Sequence, residues 1–162
     1  MRTDVKRRGW TISAEGNDLA GRFLESVFFT GNGRMGARGY PAYRPIRRPL
    51  DAGLFLAGFY DRISDSTELT DFVNLPTPIW YQIRLNGRIP AIPSHLSRAL
   101  DLRTGLLTFR YRLSIADDWV DVQEQRFFSL AKPSFLFQRL EFQGRGQVEL
   151  LDGIDHQSCN SP

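Results

Sequence analysis

The sequence predicts an all-β domain, an antiparallel sandwich of two packed sheets. Three observations carry the prediction. Apolar residues alternate with a period of two along several segments, the spacing of strands rather than helices. Turn-forming residues separate those segments at intervals of roughly ten residues. Helical spacing is confined to one short stretch, Phe23, Leu24, Val27 and Phe28. The strands are long for an immunoglobulin-like domain, so two larger sheets fit better.

The clearest strand carries Leu107, Phe109, Tyr111, Leu113 and Ile115, with Thr108, Arg110, Arg112 and Ser114 between them. Successive side chains of a strand point to opposite sides, so one face of it is core and the other meets water. Ile79, Tyr81, Ile83 and Leu85 form a second strand, with Gln82 and Arg84 between the last three. It ends in Asn86-Gly87, followed by Arg88 and Ile89. Asn-Gly predicts a two-residue hairpin turn, because a type I′ turn needs positive φ at both positions. Asp117-Asp118 is expected to turn the long strand back into another, from Val120 to Leu130. Phe135 to Phe142 and Gln147 to Leu151 read as two further strands, with Gly144-Arg145-Gly146 turning between them. The stretch from Phe23 to Phe28 is too short to assign.

The chain has 162 residues, of which 41% are hydrophobic and 12% aromatic. That suits a single domain over residues 1–162 and excludes a disordered chain. A lone cysteine, Cys159, gives no internal disulfide and no sign of an oxidising compartment. No apolar run of about 18 residues occurs, so no membrane-spanning helix is expected. The basic start from Met1 to Arg8 is not followed by the apolar stretch of a secretory signal. A cytoplasmic protein with no membrane partner is expected. Net charge is +3, and residues 1–50 hold ten Lys/Arg against four Asp/Glu. Arg44, Arg47 and Arg48 form a basic patch near Tyr40 and Tyr43, a combination that can stack on single-stranded bases. No RNA-binding signature accompanies the patch, so a solvated loop or contact with an acidic neighbouring domain is preferred, and no nucleic-acid partner is expected.

Paired carboxylates can carry acid–base chemistry, which brings Asp101, Asp117, Asp118, Asp121, Glu124, Asp152 and Asp155 into view. Asp117 and Asp118 are read as hairpin-turn residues. Asp121 and Glu124 are placed on the wet side of their strand. The segment from Asp117 to Asp121 lacks the glycine and closing glutamate of a calcium loop. His95 and His156 lie far apart, without the local ligand pairs of a metal site. Ser26, Ser129 and Ser134 lack the context of a nucleophile elbow. No catalytic, metal-binding or cofactor-binding residue is therefore assigned. Trp10, Trp80 and Trp119 either fill a core or interface, or form a flat platform for a sugar ring. Two of them exposed and coplanar would favour the platform.

The segment from Glu25 to Gly39 is the most unusual. It contains a literal G-x-G-x-x-G at Gly31, Gly33 and Gly36. A dinucleotide site needs a helix after the glycines, and here Pro41 and Pro45 follow. A glycine-built turn between strands is the preferred reading.

This segment resembles the opening of glycoside hydrolase family 65, E-S-x-F-x-x-G-N-G-x-x-G-x-R-G, on Glu25, Ser26, Phe28, Gly31, Asn32, Gly33, Gly36, Arg38 and Gly39. Further segments follow in the family's order. Phe55 to Asp61 is similar to its aGvYd strand, and Val73-Asn74-Leu75-Pro76 to its vNlP turn. Leu100 to Leu107 is similar to its LDmrtGlL segment, and Arg126 to Ala131 to its RfvSma strand. Asp152-Gly153-Ile154-Asp155, with Asn160, is similar to its closing dGidg…N.

The resemblance implies the supersandwich-like N-terminal domain of an enzyme acting on α-glucosides such as trehalose, maltose or kojibiose. Most members are inverting phosphorylases, with inorganic phosphate as co-substrate and no cofactor, and some are hydrolases. The family's catalytic acid and phosphate site lie in an α/α barrel after the sandwich, and this chain has no position that matches that acid. The resemblance therefore implies a supporting domain, inactive alone, whose partners are the barrel, the α-linked glucosides of the parent enzyme and a second copy in a homodimer. Asn32, Gly33, Arg38, Gly39, Asn74 and Asp101 are the candidates for an interdomain or substrate-edge surface, with Arg38 as the anchor of a loop facing the barrel. The alternative is an autonomous carbohydrate-binding sandwich.

Overall fold

A computed structural model of the chain describes residues 4–16, 22–43, 53–62, 70–91, 93 and 95–155. The elements run β1 (Val5–Arg8), β2 (Thr11–Gly16), α1 (Arg22–Val27), β3 (Thr30–Gly31), β4 (Met35–Ala37), β5 (Leu54–Leu56), β6 (Tyr60–Arg62), β7 (Thr70–Phe72), β8 (Tyr81–Leu85), β9 (Leu96–Asp101), β10 (Leu106–Ile115), β11 (Asp118–Phe128), β12 (Leu136–Arg145) and β13 (Val148–Asp152). Every strand pair is antiparallel.

Six strands form one sheet in the order β1-β2-β9-β10-β11-β12. The layer across the core is divided into smaller pieces, β13-β8 and β3-β4-β5, with α1 beside them, and a further pair, β6-β7. Leu107, Phe109 and Leu113 of β10 and Val120 and Val122 of β11 share one core with Leu24 and Phe28, with Ala37 and Leu54, and with Tyr81 and Ile83. The expected alternation holds along β10 from Phe109 to Ser114, where Arg110, Arg112 and Ser114 are exposed, but not at Thr108, which is buried between Leu107 and Phe109. The helix is six residues long and buries Leu24, while Phe23 on its other face is exposed.

The turns refine the expected boundaries. Asn86 and Gly87 take φ of 51° and 73°, and Leu85 and Arg88 exchange backbone hydrogen bonds at 2.8 and 3.1 Å. This is the expected two-residue turn. No return strand follows it, because Pro90 has no N–H to continue the ladder; β8 pairs with β13 instead. At the next hairpin Ala116 takes φ of 51°, and Asp118 already pairs with Ile115. The turn is therefore Ala116-Asp117, and β11 starts two residues earlier than expected. Gly144 and Arg145 belong to β12, not to a turn. Gly144 lies opposite Val120, where a Cβ would strike the Trp119 carbonyl. The chain turns one residue later, at Gly146, with φ of 111°.

Candidate functional site

The glycine-rich segment forms β3, β4 and the turn between them, then runs across the core towards β8. Asn32 fixes the turn. Its Nδ2 donates to the carbonyls of Ser129 and Pro133 at 2.8 and 3.0 Å, and its Oδ1 accepts from the amides of Arg34 and Met35, both at 3.0 Å. Both amide hydrogens and the carbonyl oxygen are thus engaged. Asn32 ties the turn to the loop between β11 and β12. Gly33 sits at the exposed tip with φ of 84°, which a side chain would strain. Gly36 seats the ring of Phe29: a Cβ there would fall 2.7 Å from Phe29 Cζ.

Arg38 and Gly39 mark the crossing. The Arg38 amide donates to the Gly53 carbonyl at 3.0 Å, and its side-chain stem lies along Gly53. Gly39 donates to the Glu25 carbonyl at 2.8 Å and presses on the backbone of Phe28, leaving no room for a Cβ.

Beneath this segment lies a layer of buried charge. Arg98 of β9 and Glu124 and Arg126 of β11 are 2%, 0% and 0% exposed. Arg126 donates from Nη2 to the Arg38 carbonyl at 2.8 Å and from Nη1 to Glu124 Oε1 at 3.3 Å. Its guanidinium lies 5.1 Å from the ring centre of Tyr40 and 5.2 Å from that of Phe109. Arg98 donates to the Gly39 carbonyl at 3.3 Å and lies against Phe28 and Phe109. Glu124 Oε2 accepts from the Ala42 amide at 2.9 Å and from the Tyr81 hydroxyl at 3.4 Å. The Tyr81 hydroxyl also bonds that of Tyr111, and Tyr43 donates to the Pro90 carbonyl at 2.7 Å. Three backbone groups of the crossing segment, at Arg38, Gly39 and Ala42, are therefore held by charged side chains of the facing sheet.

Burial pushes the Glu124 carboxyl above its ordinary pKa, against the opposing pull of Arg126 and of the groups that donate to it. Burial likewise raises the Tyr81 and Tyr111 hydroxyls. Enclosed on all sides, Glu124 has no access to a bound sugar. Its chemistry here is to hold a backbone.

The expectation that Asp121 and Glu124 both face water is corrected for Glu124. The residues are three apart, and positions an odd number apart on a strand face opposite ways. Val120, Val122, Glu124, Arg126 and Phe128 are all buried. Asp121 faces outward and forms a two-pronged ion pair with Arg112 at 2.6 and 2.7 Å. Parity, counted from Val120, is the signal that identifies Glu124 and Arg126 as inward.

The remaining candidates are placed as follows. Asp101 ends β9, and its Oδ1 accepts from the Arg103 amide at 2.8 Å, closing the turn into β10. That turn lies at the same end of the large sheet as the 129–135 loop that holds Asn32. Asn74 is half-buried beside the point where Leu75 donates to the Leu54 carbonyl of β5 at 3.0 Å. The structure thus brings Asn32, Gly33, Arg38 and Gly39 into one segment, while Asp101 serves its own turn. Arg44, Arg47, Arg48, His156 and Cys159 lie outside the described residues. Among the described residues, no three His, Cys, Asp or Glu side chains converge as metal ligands would, and no helix is long and apolar enough to cross a membrane.

The tryptophans form no common platform. Trp80 is only 8% exposed. Trp10 is exposed beside the β9–β10 turn, where its carbonyl accepts from the Leu102 amide. Trp119 lies under the Arg112 guanidinium, opposite Ser114, at the other end of β10. A strand of that length separates them by about 30 Å.

Comparison with known proteins follows the same lines. The profile of the glycosyl hydrolase family 65 N-terminal domain matches residues 18–161. The trehalose 6-phosphate phosphorylase of Lactococcus lactis subsp. lactis (strain IL1403) is 26% identical over 123 residues, which cover 69% of this chain and 16% of that protein. A solved structure assigned as a kojibiose phosphorylase from the human microbiome superposes with a TM-score of 0.76 at 16% identity, over 90% of this chain and 21% of that one. The chain spans about a sixth of the curated relative's length and about a fifth of the solved chain's.

Proposed function

Because the chain belongs to glycosyl hydrolase family 65 through its N-terminal domain, we propose that it is the non-catalytic sandwich of an enzyme acting on α-linked glucosides. In this reading an α/α-barrel domain supplies the catalytic acid. Inorganic phosphate is the attacking co-substrate if the enzyme is a phosphorylase, as the names of both relatives suggest. The sugars in view are trehalose, its 6-phosphate, maltose and kojibiose. The protein works in the cytoplasm without a cofactor, and its partner is the barrel rather than nucleic acid or a membrane.

The observation that carries the proposal is the buried charge under residues 38–42. Glycoside cleavage needs a carboxylic acid within reach of the leaving oxygen. Glu124, whose carboxyl burial pushes above its ordinary pKa, is closed off and spent on the Ala42 amide and Arg126. Asp101 closes a turn and Asp121 pairs with Arg112. What these groups achieve together is a largely buried segment of fixed shape, from which the half-buried Arg38 reaches towards the surface. Arg38 is held on that segment by its backbone, with a half-buried side chain beside Gly53.

Calorimetry of the chain against a separately produced family 65 barrel tests the reading. Binding is expected, and Arg38→Ala is expected to weaken it about tenfold, the effect of losing roughly 1.4 kcal/mol at an interface. Unchanged affinity and unchanged melting in Arg38→Ala would remove Arg38 from the interface. No binding by the wild-type chain would sink the docking role itself.

A further inference from the structure

Asparagine stands before glycine twice in the chain, at Asn32-Gly33 and Asn86-Gly87. Such a pair is prone to spontaneous deamidation, because glycine has no side chain to shield its amide nitrogen. That nitrogen attacks the asparagine Cγ and the bond from Cγ to Nδ2 breaks. Nδ2 leaves as ammonia, carrying the proton lost by the attacking amide. Water then opens the cyclic imide at either carbonyl, giving aspartate or isoaspartate. The carboxamide must first leave its partners and turn onto the next amide, and the two turns oppose this step unequally.

Asn32 is half-buried, and four hydrogen bonds hold its carboxamide: from Nδ2 to the Ser129 and Pro133 carbonyls, and to Oδ1 from the Arg34 and Met35 amides. Asn86 is exposed. Its Nδ2 donates to Asp118 Oδ2 at 2.5 Å and its Oδ1 accepts from the Gln147 amide at 2.8 Å, two bonds in place of four. The hydrogen bonds between Leu85 and Arg88 that close this turn do not engage the Gly87 amide.

We propose that Asn86 is a deamidation site of the folded chain and that Asn32 is protected from the same reaction. Three turns meet at Asn86. It lies in the turn after β8, its Nδ2 reaches Asp118 at the start of β11, and its Oδ1 holds the Gln147 amide in the turn before β13. Its own amide donates to the Gln147 carbonyl at 2.8 Å. An aspartate at position 86 loses the donor to Asp118 and sets a second carboxylate against it, and like charges that close disfavour each other. The nearest cation, Arg145, is 3.7 Å from Asp118 and largely exposed. Isoaspartate also adds a methylene to the backbone of a two-residue turn. Either product loosens the corner where the three turns join.

The inference does not depend on the function proposed above. Incubation of the folded chain at mildly alkaline pH, followed by peptide mass mapping, tests it. Replacement of the amide NH2 by OH is expected at Asn86 at least about tenfold faster than at Asn32, the effect of two fewer hydrogen bonds to break. In concentrated urea the two sites should react at similar rates. Asp118→Ala should speed the reaction at Asn86 and leave Asn32 unchanged. Asn86→Asp, which makes one product directly, should lower the Tm, and Asn86→Asp/Asp118→Asn should recover part of that loss. Equal rates at the two sites in the folded chain overturn the inference, as does a folded chain in which neither site reacts. An unchanged Tm in Asn86→Asp overturns the role given to the corner.

Discussion

The six-stranded sheet and the layer facing it are held together by different means. In the large sheet, β10 and β11 pair continuously from Leu107–Arg126 to Ile115–Asp118, with alternate side chains in the core. Backbone ladder and apolar burial coincide there, and each residue supports its neighbours. The facing layer has strands of two, three and five residues, too short to hold themselves. Its segments are fixed by side chains reaching their backbones from afar: Asn32 to Ser129 and Pro133, Arg126 to Arg38, Arg98 to Gly39 and Glu124 to Ala42. Where the backbone cannot satisfy itself, buried polar side chains take over, and single substitutions become severe.

The largest expected effect follows from that difference. Arg126→Met leaves Glu124 buried beside an apolar side chain and takes a donor from the Arg38 carbonyl, which should cost about 3–5 kcal/mol in urea unfolding. Replacing both, as Glu124→Leu/Arg126→Met, should recover only part of the loss, since it removes the unmatched charge but also takes the side-chain partners from the Ala42 amide and the Arg38 carbonyl. Leu113→Ala, in the large sheet, should cost about 3 kcal/mol by leaving a cavity, with no partner change able to rescue it. If Arg126→Met costs under about 1 kcal/mol, the layer is not held as described.

A second effect sharpens the comparison through pH. Burial raises the Glu124 pKa, so the folded chain holds that proton more tightly than the unfolded chain does. The stability this confers is complete below the ordinary glutamate value of 4.5 and is lost as pH rises through the raised folded value. The stability difference between wild type and Glu124→Gln should therefore shift against wild type as pH rises, by urea midpoints taken from about pH 4 to 8. A pH-independent difference would mean that Glu124 does not titrate in that window. Asp121 works in the opposite sense: hydrogen bonding to Arg112 lowers its pKa, so its contribution is lost as pH falls.

The smallest effect is local. Asn32→Ala should cost about 1–2 kcal/mol, because its hydrogen bonds are only partly buried. Hydrogen exchange should speed at the Arg34 and Met35 amides and stay unchanged along β10. Equal acceleration in both regions would show that the two layers unfold as one unit.

The sequence reveals these regions unequally, for the same physical reason. The strands from Leu106 onward are long enough for period-two alternation to show, and only their ends move, as where positive φ at Ala116 lets Asp118 pair early. Strands of two or three residues show no period. The partner of β8 is likewise invisible, because β13 follows it by some sixty residues. At the candidate site the glycines and Asn32 stand out in the sequence, but Asn32's contact with Ser129 spans 97 residues. Glu124 and Arg126 were within reach. They continue the inward parity of Val120 and Val122, and their charge alone suggested water. Their burial becomes intelligible only once Arg38, Gly39 and Ala42 are seen to need partners across the core.

The role we propose is that this domain shapes and supports a catalytic partner and carries no chemistry of its own. An assay of the chain alone, a family 65 barrel alone and their mixture, on trehalose, maltose and kojibiose with and without phosphate, tests it most directly. The account predicts no turnover by the chain at any phosphate concentration, and a mixture more active than the barrel alone. Release of glucose or glucose 1-phosphate by the chain alone would contradict it and would place a catalytic carboxylate among groups described here as structural.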